Sequence, residues 1–83
     1  MTVVVYGKRH CSLCEKALAV LAHLQRDFGY RIDYVDITAD PVLASLYREA
    51  IPVVAIDGVE IARGRVTIPV VRSALSAAAA RRQ

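Results

Sequence analysis

The hydrophobic pattern changes period several times along the chain, and each change marks an element. Residues 2–6, Thr-Val-Val-Val-Tyr, form a β-branched and aromatic run closed by Gly7, which predicts a buried strand. Residues 7–10 read as a loop. From Cys11 onward the apolar positions recur at spacings of three and four: Leu13, Ala17, Val20, Leu21, Leu24 and Phe28. Glu15, Lys16, His23, Arg26 and Asp27 fall largely on the other side. This predicts a helix over 12–28, stopped by Gly29 just past its end. Residues 30–37 then alternate, with Tyr30, Ile32 and Tyr34 on one side and Arg31, Asp33, Val35 and Ile37 on the other, as a second strand should.

Asp40-Pro41 is a helix start, with Asp as N-cap and Pro at the first helical position. Leu43, Leu46 and Tyr47 give that short helix one apolar face. Ile51-Pro52 opens the β run Val53-Val54-Ala55-Ile56. Asp57-Gly58 is the turn of a hairpin, because a type I′ turn needs positive φ at both central residues. Val59-Glu60-Ile61 returns, and Arg63-Gly64-Arg65 leads out. Thr67 and Pro69 mark a last helix, with Val71, Ala74, Leu75 and Ala78 as its inner stripe and Arg81–Gln83 expected to fray. The order is β-α-β-α-β-β-α. The first βαβ unit makes its strands parallel with a right-handed crossover. The hairpin makes the last two antiparallel. The expectation is an α/β fold: a mixed four-stranded sheet flanked by three helices, in a single domain over residues 1–83.

Composition agrees with one small globular core: 83 residues, 55% hydrophobic and 23% charged. No run approaches the roughly 20 apolar residues that span a bilayer. Val3-Val4-Val5 follows Met1 without a basic n-region or a long apolar stretch, which reads against a signal peptide and makes a cytoplasmic location the expectation. Residues 1–40 balance five Lys/Arg against five Asp/Glu, so the net charge of +3 comes from the arginines between Arg48 and Arg82. Apart from the terminal Arg81-Arg82 these are spread singly, with no aromatic interleaving to stack bases, so neither a nucleic acid nor a membrane is an expected partner.

The candidate chemistry lies in Cys11-Ser12-Leu13-Cys14, the only cysteines of the chain, placed between a strand and a helix start. Residues three apart on a helix have Cβ atoms about 5–6 Å apart, close enough for a disulfide after a small adjustment. A thiolate at Cys11 would face the unpaired N–H groups of the first helical turn, and cysteines so placed ionise more readily. Lys8, Arg9 and a protonated His10 push the same way. Cys11 sits at the loop edge and Cys14 one turn in, so Cys11 is the expected attacking thiol and Cys14 the resolving one. Other uses stay open. One chain cannot close a zinc shell, because His10 adjoins Cys11 and His23 is about 13 Å further along the helix than Cys14. A c-type haem needs His after the second cysteine, and Glu15 stands there. Two inert core thiols, or a cluster bridged between two chains, remain alternatives.

Tyr6, the Lys8 loop, Cys11-Ser12-Leu13-Cys14 and Ile51-Pro52 before a hairpin resemble the glutaredoxin branch of the thioredoxin superfamily, closest to its small bacterial glutaredoxin-like proteins. The similarity of order and motif covers residues 2–80. It implies a thioredoxin-like fold and a cis Ile51–Pro52 bond that brings the Ile51 backbone beside Cys11, where a substrate backbone could pair with it. It further implies substrate-binding roles for Lys8, Ile51, Pro52 and Gly64, with Lys8 directed at a glutathione carboxylate. The chain departs from the family pattern in two places. Ser12-Leu13 replaces the usual Pro-Tyr. Arg63-Gly64-Arg65-Val66-Thr67 has one glycine and no acid, where a Gly-Gly and an acidic residue usually hold the glutathione γ-glutamyl end. The functional expectation is a monomeric thiol–disulfide oxidoreductase acting on protein or small-molecule disulfides. It would require no cofactor or metal and would be re-reduced by glutathione or a thioredoxin-reductase-type donor. The alternatives are an iron–sulfur scaffold dimerised through Cys11 and a non-catalytic interaction module.

Overall fold

Burial alternates along the first strand, β1 (Thr2–Gly7): Val3, Val5 and Gly7 are buried, and Thr2, Val4 and Tyr6 are half-covered. This computed structural model describes residues 1–82. Helix α1 (Ser12–Phe28) carries the chain over to β2 (Arg31–Asp36), which lies parallel to β1 with Val5 level with Tyr34. Strand β3 (Val53–Ile56) runs antiparallel on the other side of β1, and β4 (Val59–Arg63) returns beside it. The sheet order is β2-β1-β3-β4. Every residue of β3 is buried, as suits a strand flanked by neighbours and covered on both faces. The hairpin turn has positive φ at Asp57 (47°) and Gly58 (85°), as its sequence requires.

The core lies between one face of the sheet and two helices. Val3, Val5, Val54 and Ile56 from the strands meet Leu21 and Leu24 of α1 and Val71, Leu75 and Ala78 of α3 (Ile68–Arg81). Fully burying each of the larger aliphatic side chains contributes about 1.5–3 kcal/mol. Helix α2 (Pro41–Tyr47) meets the opposite face, where the Tyr47 ring stands 5.0 Å from that of Tyr6. The α/β architecture and the element order are those expected.

Several local expectations need correction. Leu13 is 38% exposed, and Cys14, wholly buried, takes the inward position in the first turn of α1. Leu46 is 62% exposed and no residue of α2 is buried, so the apolar face of that helix reduces to Leu43 and Tyr47, each partly covered. Strand β2 ends at Asp36, because the Asp36 carboxylate accepts hydrogen bonds from the N–H and hydroxyl of Thr38. That turns Ile37–Ala39 into a 3-10 turn with Ile37 buried. Strand β4 runs on to Arg63, paired with Val53. At the expected frayed end, Arg81 closes α3 and the Arg82 N–H donates to the Ala79 carbonyl; Gln83 lies outside the described residues.

Candidate active site

Strand β1 delivers the chain to the cysteines through a tight place. Gly7 is buried, and a Cβ there would run into the Tyr34 phenol and lie 3.0 Å from the Cys14 sulfur. Lys8, Arg9 and His10 follow, all exposed, and the loop turns at His10 with φ of 57°. Among residues with a side chain, histidine is one of the few enriched in this left-handed region. The turn delivers Cys11 to the N-cap of α1 in extended conformation, φ −117° and ψ 106°.

The capping geometry sets the chemistry of the pair. Cys11 Sγ accepts a hydrogen bond from the Cys14 N–H at 3.2 Å, and the Cys11 carbonyl accepts from the Glu15 N–H at 3.0 Å. The sulfur thus takes the place a Ser or Asp oxygen holds in an ordinary N-cap, against the positive end of the helix dipole. Cys11 is half-buried and Cys14 has no exposed surface. The two form a disulfide, with Cα atoms 5.2 Å apart. Cations dominate the rim. Lys8, Arg9 and Lys16 take part in no ion pair among the described residues, whereas Arg31, Arg63, Arg72 and Arg82 are paired with Asp33, Glu60, Asp27 and Asp57. A shallow cleft of about 470 Å³ beside the pair is lined by Lys8, Arg9, His10, Glu15, Leu18 and Tyr34. A larger groove of about 530 Å³, between α2 and Arg63 of β4, touches neither cysteine.

The other expected site residues gather at the same end of the sheet. Val53 lies level with Tyr6, so Pro52, just before β3, lies where β1 gives way to the Lys8 loop. The Ile51–Pro52 bond is cis, Ile51 is half-buried and Pro52 is buried. The Pro52 carbonyl accepts from the Gly64 N–H at 2.8 Å, which ties the end of β4 to the start of β3. Gly64 has φ of 70°, and no heavy atom lies within 4 Å of where its Cβ would be. Among the described residues, no three His, Cys, Asp or Glu side chains come together as metal ligands. No helix there is long and apolar enough to cross a membrane.

Gly7 and Tyr34 are site residues that the sequence reading passed over. The Tyr34 hydroxyl donates to the Lys8 carbonyl at 2.8 Å. Burial first, and then the charges of Asp36 and Glu15, push its phenol above the ordinary tyrosine range, so it is a neutral donor at neutral pH. Strand alternation places Tyr34 on the same side as Tyr30 and Ile32, but nothing in the spacing links it to a loop 26 residues earlier.

Known proteins bear the same stamp. Residues 2–76 match the family described as glutaredoxin-like domain (DUF836). The X-ray structure of protein XcR50 from X. campestris is 29% identical, with a TM-score of 0.74 over 90% of this chain and 96% of that one. The solution structure of protein Ne2328 from Nitrosomonas europaea is 27% identical, with a TM-score of 0.76 over 88% of each chain. Oxidised Escherichia coli glutaredoxin, 24% identical, shares the fold with a TM-score of 0.59 over 75% of this chain and 82% of its own. No curated protein matches. The Cys-x-x-Cys pair fits thiol–disulfide redox chemistry, and with the match over residues 2–76 the chain belongs to the glutaredoxin-like domain family.

Proposed function

We propose that the protein is a dithiol–disulfide oxidoreductase in which Cys11 attacks and Cys14 resolves. One observation carries this reading: a half-buried sulfur at the N-cap of α1 is paired with a fully buried sulfur one turn inside it. In the reduced protein, the helix N-terminus stabilises the Cys11 thiolate. That thiolate attacks one sulfur of a substrate disulfide, forms a mixed disulfide and expels the first substrate thiolate. Cys14 then loses its proton and attacks the Cys11 sulfur, expelling the second substrate thiolate and closing the Cys11–Cys14 bond. Two electrons have passed to the substrate, and a dithiol or two glutathione molecules return them.

Lys8 supplies a free cation for a substrate carboxylate, and the Ile51 backbone offers the edge along which an extended substrate segment docks. The Gly64 N–H is already committed to Pro52, so the part of Gly64 is the open space above it. Disulfides of proteins or small molecules are the substrates, and glutathione or a thioredoxin-reductase-type protein is the donor. A protein running this cycle needs a reducing compartment, such as the cytoplasm.

The test is reduction of a small disulfide, coupled to glutathione, with mixed species trapped by acid and identified by mass. Cys11→Ser abolishes turnover. Cys14→Ser leaves the first attack intact and, with glutathione omitted, accumulates the mixed disulfide on Cys11. Full turnover by Cys11→Ser defeats the assignment.

A further inference from the structure

We infer that Tyr34 is a positioning residue for the dithiol, its hydroxyl holding the 8–10 loop so that Cys11 stays over the buried Cys14. The inference rests on the reading of these two cysteines as the exchanging pair. Three observations carry it. First, among the described residues the Tyr34 hydroxyl makes the one side-chain hydrogen bond to Lys8, Arg9 or His10, at 2.8 Å to the Lys8 carbonyl. Second, the loop passes through a left-handed conformation at His10, which histidine tolerates but which still costs free energy that a loop tied down at Lys8 helps to offset. Third, the Tyr34 phenol and the Cys14 sulfur abut the same buried residue, Gly7, so the tether and the resolving thiol share one wall. Tyr34 stands on β2, hydrogen-bonded into the sheet beside β1, and so offers the loop a rigid anchor.

The consequence falls on the closing step. The reaction is dithiol protein plus glutathione disulfide giving protein disulfide plus two glutathione thiols, with two electrons and two protons leaving the protein. Its equilibrium constant contains the effective concentration of one cysteine at the other. With the tether in place, the loop is ordered before the bond forms. Without it, closure also has to order residues 8–10, and the disulfide loses stability relative to the dithiol.

The experiment equilibrates the wild type, Tyr34→Phe and Tyr30→Phe in glutathione and dithiothreitol redox buffers and traps the species at each ratio. Tyr34→Phe keeps the ring at a position that is 39% exposed, so the fold is retained. Its closure constant should fall about three- to tenfold, the net weight of one hydrogen bond. A tenfold fall is about 30 mV toward a more oxidising couple. The pH midpoint of Cys11 alkylation should rise with it, as the sulfur is held less closely to the helix N-terminus. Tyr30→Phe removes a similar bond, from the Tyr30 hydroxyl to the Leu21 carbonyl in the core. That variant should melt earlier with closure constant and alkylation midpoint unchanged. An unchanged constant in Tyr34→Phe, or an equal fall in Tyr30→Phe, overturns the inference. A shifted constant in a protein that reduces no disulfide substrate would instead sink the exchange reading and leave the positioning role standing.

Discussion

Gly7 is where the sheet, the tyrosine and the resolving cysteine come closest. A methyl group there meets both the Tyr34 phenol and the Cys14 sulfur. Gly7→Ala should therefore act as an overpacking change, destabilising by about 1–3 kcal/mol, and should shift the dithiol equilibrium as well. Gly64→Ala is the informative contrast. Its φ of 70° disfavours a side chain, yet nothing lies within reach of the added carbon. It should cost about 1–2 kcal/mol in backbone strain alone and leave the dithiol equilibrium where it was. Urea unfolding paired with redox titration separates the two, and equal redox shifts in both variants would contradict this account. These residues also show which parts of the site can be read from the chain. Cys11 and Cys14 were legible because a strand end, a loop and a helix start are local patterns, and the cap geometry follows from them. Gly7 reads as an ordinary strand stop. Its real constraint comes from Tyr34, which reaches it only through the β1–β2 register.

The same distinction holds for elements, in their caps and faces. Asp40 and Thr67 look equivalent in sequence, each a capping residue shortly before a proline. Asp40 does cap α2, its carboxylate accepting from the Val42 N–H at 2.8 Å and the Leu43 N–H at 3.4 Å. Thr67 makes no such bond, and α3 starts instead from the fixed φ of Pro69 in its first turn. Asp40→Ala should thus cost about 1 kcal/mol, and Thr67→Ala should stay within about 0.5 kcal/mol of wild type. Helix α2 has seven residues and none buried, too short to persist without its cap and the Tyr6–Tyr47 contact. Amide exchange in Asp40→Ala should therefore quicken in α2 before it quickens in α1, and uniform quickening would show that the cap acts on global stability instead. The bounds of α1 were legible to the residue, but its inner stripe was not. The apolar spacing points to Leu13, whereas the buried line is Cys14, Ala17, Leu21 and Leu24, because the cysteine serves as a small core residue as well as a thiol. Leu46 is exposed for a different reason. A helix of two turns lies on the sheet through whichever residue finds a partner, and the partner is Tyr6, which only the β1 alternation puts on that face.

Across the whole molecule, stability against pH is set at both ends by groups other than the cysteines. The Asp57 carboxylate joins three segments: it accepts from the Thr2 N–H at 2.9 Å, sits in the β3–β4 turn and lies 3.3 Å from the Arg82 guanidinium at the end of α3. The Thr2 N–H first, and then the Arg82 charge, hold its carboxyl below the usual range. Hydrogen bonds from the Thr38 side chain and backbone do the same for Asp36, and the Arg63 hydrogen bond does so for Glu60. Groups whose pKa is lower in the folded protein contribute stability above their unfolded values of about 3.9 for Asp and 4.3 for Glu, and that contribution is lost as pH falls through the folded values. Tyr30 and Tyr34 are raised, each by burial first. Their contribution is complete below the unfolded tyrosine value of about 10 and is lost as pH rises through the folded values. The expected profile is a plateau between these limits that falls on both sides. Asp57→Asn keeps an acceptor for Thr2 and a residue type tolerated at φ of 47°, but it removes the titrating charge. Its unfolding free energy, measured in urea from neutral pH down to about pH 3, should fall less steeply than that of the wild type, while the alkaline limb stays the same. Superimposable acid limbs would show that Asp57 is as free to ionise in the folded chain as in the unfolded one.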